Sequence, residues 1–219
     1  METWRLLTDG PGPAAWNMAV DEALFRLAAA PVLRVYEWEA PAVSLGYFQA
    51  AALAPAGRPF VRRYTGGGLV DHAHDVTYTV AAPRGHALGQ LSTGESYSLL
   101  HQAVAAALNE IGIAAELSPS CEEENAACFQ RAVKFDVLHA GRKVAGAAQR
   151  RTRTGLLQQG SILLPEPAAN AALRAILPAA FGKILGFSPQ AGTLDPAERA
   201  LAEELARERY GTDAWNRQL

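Results

Sequence analysis

Cysteine is nearly absent from this chain: Cys121 and Cys128 are the only two in 219 residues. Two thiols cannot build a disulfide framework, and their scarcity points to a reducing compartment, the cytoplasm. A leader is not expected either. The opening METWRLLTDGPG carries charge early and has no long apolar stretch followed by a small-residue cleavage site, so it does not read as a signal peptide. No apolar run approaches the roughly 20 residues that span a bilayer, so no membrane partner is expected. Charge of one sign is not in excess either, with 20 basic against 22 acidic residues and a net charge of -2. That argues against general nucleic-acid binding, which needs a strongly basic face. With 49% hydrophobic and 19% charged residues the chain is not disordered. Its length supports a sizeable core, expected here as a single domain over residues 1–219.

What is present reads as clustered strands with helices between and after them. After Pro11-Gly12-Pro13, the residues Trp16, Val20, Ala23, Leu24 and Leu27 form one apolar stripe at helical period. Val32–Trp38 alternates as a strand, Ala42–Leu45 is a second, and Phe60–Arg63 and Val76–Val80 follow. Ser92 and Glu95 form a capping box ahead of a helix whose buried face carries Tyr97, Leu100, Val104, Ala107, Leu108 and Ile111, with Gly112 as its C-terminal stop. Ile113–Leu117, Phe135–Leu138, Lys143–Gln149 and Leu156–Leu164 read as further strands, the last three as a meander. From about residue 167 onward the pattern is helical, and Asp195-Pro196-Ala197-Glu198 marks a helix start. The class is α+β, with a mixed or antiparallel sheet.

Thr65-Gly66-Gly67-Gly68 lies between two strands, where glycines free the backbone and let a ligand approach its amides. A tight turn explains the glycines equally well, and no Gly-Lys-Ser/Thr follows, so the stretch is not a P-loop. Arg62 and Arg63 before it, and His72 and His74 after it, favour a site. The two histidines, spaced to share a strand face, lack a third ligand, and no metal is expected. Lys143 opens Lys143-Val144-Ala145-Gly146-Ala147-Ala148-Gln149, whose small residues leave space beside a cation able to stabilise an oxyanion. It could equally be a turn lysine snorkelling to solvent. Cys128 sits in a polar segment followed by Arg131 and Lys134, a setting that activates a thiol, although most lone cysteines are small core residues. Arg150, Arg151 and Arg153 fall at an expected hairpin tip, either solvated or facing an acidic protein partner.

Taken together, the motifs resemble a known family. Arg62-Arg63-Tyr64-Thr65-Gly66-Gly67-Gly68-Leu69-Val70-Asp71-His72 resembles the R-R-x-[ST]-G-G-G-x-V-x-H signature of lipoate–protein ligases and their octanoyltransferase relatives. Gly141-Arg142-Lys143-Val144-Ala145-Gly146-Ala147-Ala148-Gln149 is similar to that family's lysine strand. Stretches at 17–23, 44–49, 157–161 and 209–216 match in family order and extend the likeness over nearly the whole chain. The resemblance implies a class II aminoacyl-tRNA synthetase and biotin–lipoate ligase-like fold, a mixed, largely antiparallel sheet flanked by helices. It also implies one catalytic domain with no separate C-terminal accessory domain.

The family divides by reaction. Ala127-Cys128-Phe129 and Val76-Thr77-Tyr78-Thr79-Val80 resemble the cysteine-type transferases. These take octanoate from acyl carrier protein as an enzyme thioester. They pass it to a lysine of a lipoyl domain, in the glycine cleavage H protein or a dehydrogenase E2, and need no cofactor. Gly68 resembles the ligases, which use ATP and magnesium, and Ala73 stands where the family has an aspartate, leaving Asp75 as its nearest substitute. The resemblance implies catalytic roles for Cys128 and Lys143, and substrate binding by Arg63, Thr65, Gly66, Gly67, Gly68, His72, Gly146, Ala147 and Ala148. Arg150 and Arg151 are expected to meet the partner protein. A non-catalytic acyl-binding protein of the same fold is the third reading.

Overall fold

A computed structural model of the protein describes residues 2–119, 132–164 and 166–219. In chain order, β1 (Glu2–Gly12) leads into α1 (Ala14–Leu27), followed by β2 (Val32–Trp38), β3 (Val43–Leu45), β4 (Phe60–Arg62), β5 (Val70–Asp71) and β6 (Val76–Pro83). Next come α2 (Ala87–Gln90), α3 (Thr93–Glu110), β7 (Ala115–Leu117), β8 (Val137–His139), β9 (Arg142–Arg151) and β10 (Gly155–Ile162). α4 (Asn170–Leu185), β11 (Phe187–Ala191), α5 (Pro196–Leu205) and α6 (Asp213–Asn216) complete the order.

Eight strands form one sheet in the order β11-β1-β2-β6-β10-β9-β8-β7, and β4-β3-β5 form a small second sheet. β1 pairs in parallel with β2 and β11, whereas the β2-β6-β10-β9-β8-β7 run is antiparallel throughout. The class is α+β, as expected from the sequence. β2 shows why the large sheet is buried on both faces. Leu33 and Val35 join the core formed with α3 and α4, and Val32 and Tyr36 join the core formed with α1 and α5. Side chains alternate across the pleat, so successive residues of one strand serve two separate cores.

Local chemistry sets the helix ends. Both halves of the Ser92–Glu95 box are made, as are those of an Asp195–Glu198 box at the start of α5. Gly112, with φ +84°, takes the left-handed position after α3 that a side chain would strain. Three expectations need correction. β1 and β11 did not stand out in the sequence, and β11 lies within a stretch read as helical. Its ladder is supplied entirely by distant β1, with Glu2 opposite Phe187. Phe135 is not in a strand; its φ of +72° turns the chain into β8. Pro167–Leu185, with hydropathy 1.2, is long and apolar enough to cross a membrane by length and composition alone. In the fold, however, Leu173, Leu177, Ala180 and Phe181 are buried in the core against α3.

Candidate active site

The small sheet holds the glycine loop over one face of the large sheet, and a cavity lies between them. Gly146, Ala147 and Ala148 of β9 and Gln159, Gly160 and Ser161 of β10 form one wall; they are paired Gly146 with Ser161, Ala147 with Gly160 and Ala148 with Gln159. Arg63, Gly67, Gly68, Leu69 and Val70 form the opposite wall. Met18, Tyr36, Trp38, Ser44, His72, Thr77 and Lys143 close it. Small residues keep the wall low, so the space can take a thin apolar chain.

The loop is held from within. Arg63 is 95% buried and donates to the carbonyls of Ser44 (2.8 Å), Gly66 (3.0 Å) and Gly68 (2.7 Å), and to Ser44 Oγ (2.6 Å). Burial pushes its guanidinium down to about 10, because losing water penalises the charge. Arg63 therefore shapes the loop and leaves a positive charge in the cavity wall. Thr65 donates to Gln159 Oε1 at 2.7 Å, and Gln159 donates to Asp21 at 2.7 Å, so the loop is tied to the buried Asp21–Arg34 pair (2.7 Å). Gly67 needs its glycine, with φ +83° and a would-be Cβ 3.1 Å from Ala148 Cβ. Gly66 has looser surroundings, with only Phe48 approaching its Cβ position, at 3.9 Å. Sequence reasoning passed over Gly46, yet a Cβ there would meet Gly67 O at 2.0 Å. Ser44, two residues earlier, likewise belongs to the site through its contacts with Arg63 and His72.

Lys143 is on the cavity wall. Its side chain is 9% exposed and its Nζ lies 2.8 Å from Oδ2 of the fully buried Asp136. Asp136 also accepts from Tyr97 OH (2.5 Å) and from the Val133 amide (2.8 Å). A Cβ on Gly146 would meet Lys143 Cε at 2.6 Å and Nζ at 2.8 Å, so the glycine makes room for the lysine itself. Tyr97, expected to be a plain core aromatic, instead turns its hydroxyl to this group. Burial, reinforced by the Asp136 charge, holds its phenol protonated. One turn further along α3, His101 Nδ1 donates to Phe135 O at 2.6 Å. Burial pushes that imidazole down to about 4, so it is neutral at pH 7.

His72 is not on a strand; it follows β5 and stacks on Trp38 with centroids 3.9 Å apart. Its Nδ1 is 2.8 Å from Asp75 Oδ2 and its Nε2 is 2.6 Å from Ser44 Oγ. The same Asp75 oxygen accepts from Ser161 (2.6 Å) and Thr77 (2.9 Å). Burial raises the Asp75 pKa, but His72 and these hydrogen bonds outweigh it and leave the carboxyl below its usual value. Nδ1 donates to the Asp75 carboxylate, and Nε2 pairs with the Ser44 hydroxyl. The carboxylate that meets His72 is thus Asp75, three residues further on, and not the residue at position 73. His74 lines a neighbouring polar cavity instead, and no cluster of three or more metal-ligating side chains occurs among the described residues.

Arg150 and Arg151 lie in β9 rather than at the hairpin tip, and both are half-buried. Arg150 stacks over Tyr64 at 3.8 Å and donates to its carbonyl at 3.0 Å. Arg151 donates to Leu91 O and Ser96 Oγ, both at 2.7 Å. The expected nucleophile Cys128 lies outside the described residues.

Fold and cavity together place a largely buried lysine beside a pocket with small-residue walls. Residues 13–180 match the lipoyl protein ligase A/B catalytic domain. The chain is 34% identical to octanoyltransferase LipM of Kyrpidia tusciae and 33% identical to that of Symbiobacterium thermophilum, each over 99% of both chains. Its fold matches a bi-partite lipoate protein ligase of Thermoplasma acidophilum with a TM-score of 0.76 at 23% identity, over 99% of this chain and 96% of that one. The chain belongs to the lipoyl protein ligase A/B family and is an acyltransferase.

Proposed function

We propose that this enzyme takes an octanoyl group from acyl carrier protein onto Cys128 as a thioester. It then passes the group to a lysine of a lipoyl domain, in the cytoplasm, without a cofactor. The observation that carries this reading is full-length similarity to octanoyltransferases. The cavity is consistent with it: glycine and alanine walls admit an unbranched chain, and Lys143 stands beside it. Thiolate attack on a thioester exchanges one thioester for another at little thermodynamic cost. Attack by the acceptor amine then releases the thiolate and forms a stable amide. Lys143 stabilises the oxyanion in both steps. Arg63, through the loop it shapes, and His72, through Ser44, hold the walls against which the chain lies. Arg150 and Arg151 face the acidic acceptor with the charge their internal contacts leave exposed.

Incubation with octanoyl-acyl carrier protein is expected to add one octanoyl mass to the enzyme, and Cys128→Ser to remove that thioester. Active transfer with no labelled wild-type enzyme would sink the nucleophile assignment. Gly68 and the fold it shares with lipoate ligases favour a second reading, an ATP-dependent ligase. That reading predicts pyrophosphate release from lipoate and ATP that persists in Cys128→Ser. Octanoate binding without transfer by any route would instead mark a non-catalytic acyl-binding protein.

A further inference from the structure

We propose that Asp136 and Tyr97 are positioning residues for acyl transfer, which together fix where the Lys143 ammonium sits relative to the cavity. The proposal rests on the reading of Lys143 as the group that meets the acyl carbonyl.

Three donors converge on the Asp136 carboxylate, and each comes from a different place in the chain. Lys143 comes from β9 at 2.8 Å, Tyr97 from α3 at 2.5 Å and the Val133 amide from the preceding turn at 2.8 Å. With its oxygens held from three directions, the carboxylate cannot swing, and the lysine it binds has one place to go. Tyr97 does a second thing. Its hydroxyl lies 3.0 Å from the Ala147 amide and 3.2 Å from the Ala147 carbonyl, in the cavity wall. One phenol therefore couples the lysine's partner to the backbone beside which an acyl chain would lie. The turn carrying Asp136 is fixed on both sides of Phe135, whose amide donates to Ser118 O at 2.8 Å and whose carbonyl accepts from His101. Stability alone does not call for such an arrangement. A buried ion pair loses much of its attraction to desolvation, and an apolar pair of equal volume is often as stable. Placing a cation at a defined point beside an apolar cavity gives the pair a reason to be there, and Gly146 keeps that point open.

The test compares Asp136→Asn, Asp136→Glu and Tyr97→Phe with the wild-type full chain in octanoyl transfer from octanoyl-acyl carrier protein to a lipoyl domain. Asp136→Asn is expected to lower kcat about 10- to 100-fold, with the donor KM within about twofold, because a misplaced catalytic group costs rate before it costs binding. The basic limb of the pH–rate profile should move to lower pH, since the ammonium has lost its anion. Asp136→Glu should restore part of the rate, and Tyr97→Phe, which leaves the anion in place, should lose kcat less, with the donor KM held and no move of the basic limb to lower pH. Labelling of Lys143 by acetic anhydride, followed by peptide mass, reads the Asp136→Asn displacement without turnover: half-labelling should fall to lower pH in that variant and not in Tyr97→Phe. Folded variants with wild-type kcat, pH limb and labelling would overturn the proposal. Should Asp136→Asn fail to fold, Tyr97→Phe decides by the split of kcat against KM. Lys143→Ala separates the two levels: full activity there refutes the role of Lys143 itself. Loss there, with Asp136→Asn and Tyr97→Phe unchanged, refutes only the positioning.

Discussion

Two basic side chains border the same cavity, each held by a buried aspartate, and they differ in how that aspartate is held. Asp136 has both oxygens engaged, by Tyr97 on one and by Lys143 and Val133 on the other. Asp75 concentrates His72, Thr77 and Ser161 on one oxygen, while its Oδ1 has no hydrogen-bond partner among the described residues. The bases differ as well. Lys143 reaches the cavity along its own strand through the space of Gly146, whereas His72 is sandwiched between Trp38 and the Ser44 hydroxyl, with both ring nitrogens occupied. A flexible ammonium paired with a carboxylate suits charge that develops during a reaction. A stacked, doubly bonded imidazole suits a wall. On the function proposed above, a base paired with an aspartate thus serves as a reactive group in one place and as a structural one in the other.

The sharpest way to break this contrast is Lys143→Ala. It should lower kcat/KM for octanoyl transfer on the order of 100- to 1000-fold, and it should also lower the melting temperature, because the buried Asp136 carboxylate loses its cation. If steady-state kinetics show a loss of only a few fold, the two bases are alike and both structural. The next effect is on stability against pH. His101 holds the turn that presents Asp136, and its pKa is depressed to about 4 from an ordinary 6.5. Below pH 6.5 the unfolded chain binds a proton that the folded chain refuses until about pH 4, so stability falls as the pH drops through that window. The full loss is about 3 kcal/mol, readable as a falling urea midpoint that flattens in His101→Gln. Asp75 works in the adjoining window: its depressed carboxyl contributes stability above the unfolded value of 3.8, lost as the pH falls further.

Ser161→Ala removes one donor from Asp75 and should cost about 1.5 kcal/mol by chemical denaturation at neutral pH, with a loss of kcat far smaller than that of Lys143→Ala. A large fall in kcat there would make the His72 group reactive after all. The smallest effect expected is from Ser92→Ala, which opens the capping box of α3 and should cost about 1 kcal/mol. If it also shifts the pH–rate profile, then α3 transmits small strains to Tyr97 and Lys143, and the first region is less rigid than its hydrogen bonds suggest.

Sequence reasoning reached the parts of this molecule whose signals are local. The stripe from Trp16 to Leu27 became α1, Val32–Trp38 became β2 with the same bounds, and the Ser92 and Asp195 boxes capped helices, because each depends on residues within a few positions of one another. The glycine loop and the Lys143 strand were legible for the same reason, and the structure brings Arg63, Gly67, Gly68, His72, Lys143, Gly146, Ala147 and Ala148 to one cavity. β1 and β11 were not legible, since parallel partners 185 positions apart leave no short-range pattern, and Pro11 and Pro189 disguise them. Asp136 sat unremarked inside the strand read at Phe135–Leu138, and Tyr97 counted only as apolar surface.

By itself, then, the sequence determined the helix ends, the alternation of the central strands and the family signature on either side of the cavity. These are consequences of backbone geometry and of residues adjacent in the chain. Only the tertiary structure decided which carboxylate holds which base, that Asp75 is the one facing His72, and that a tyrosine on α3 belongs to the lysine's surroundings. A buried charge is stable only where several donors from separate elements converge on it, and that convergence exists only once the chain has folded.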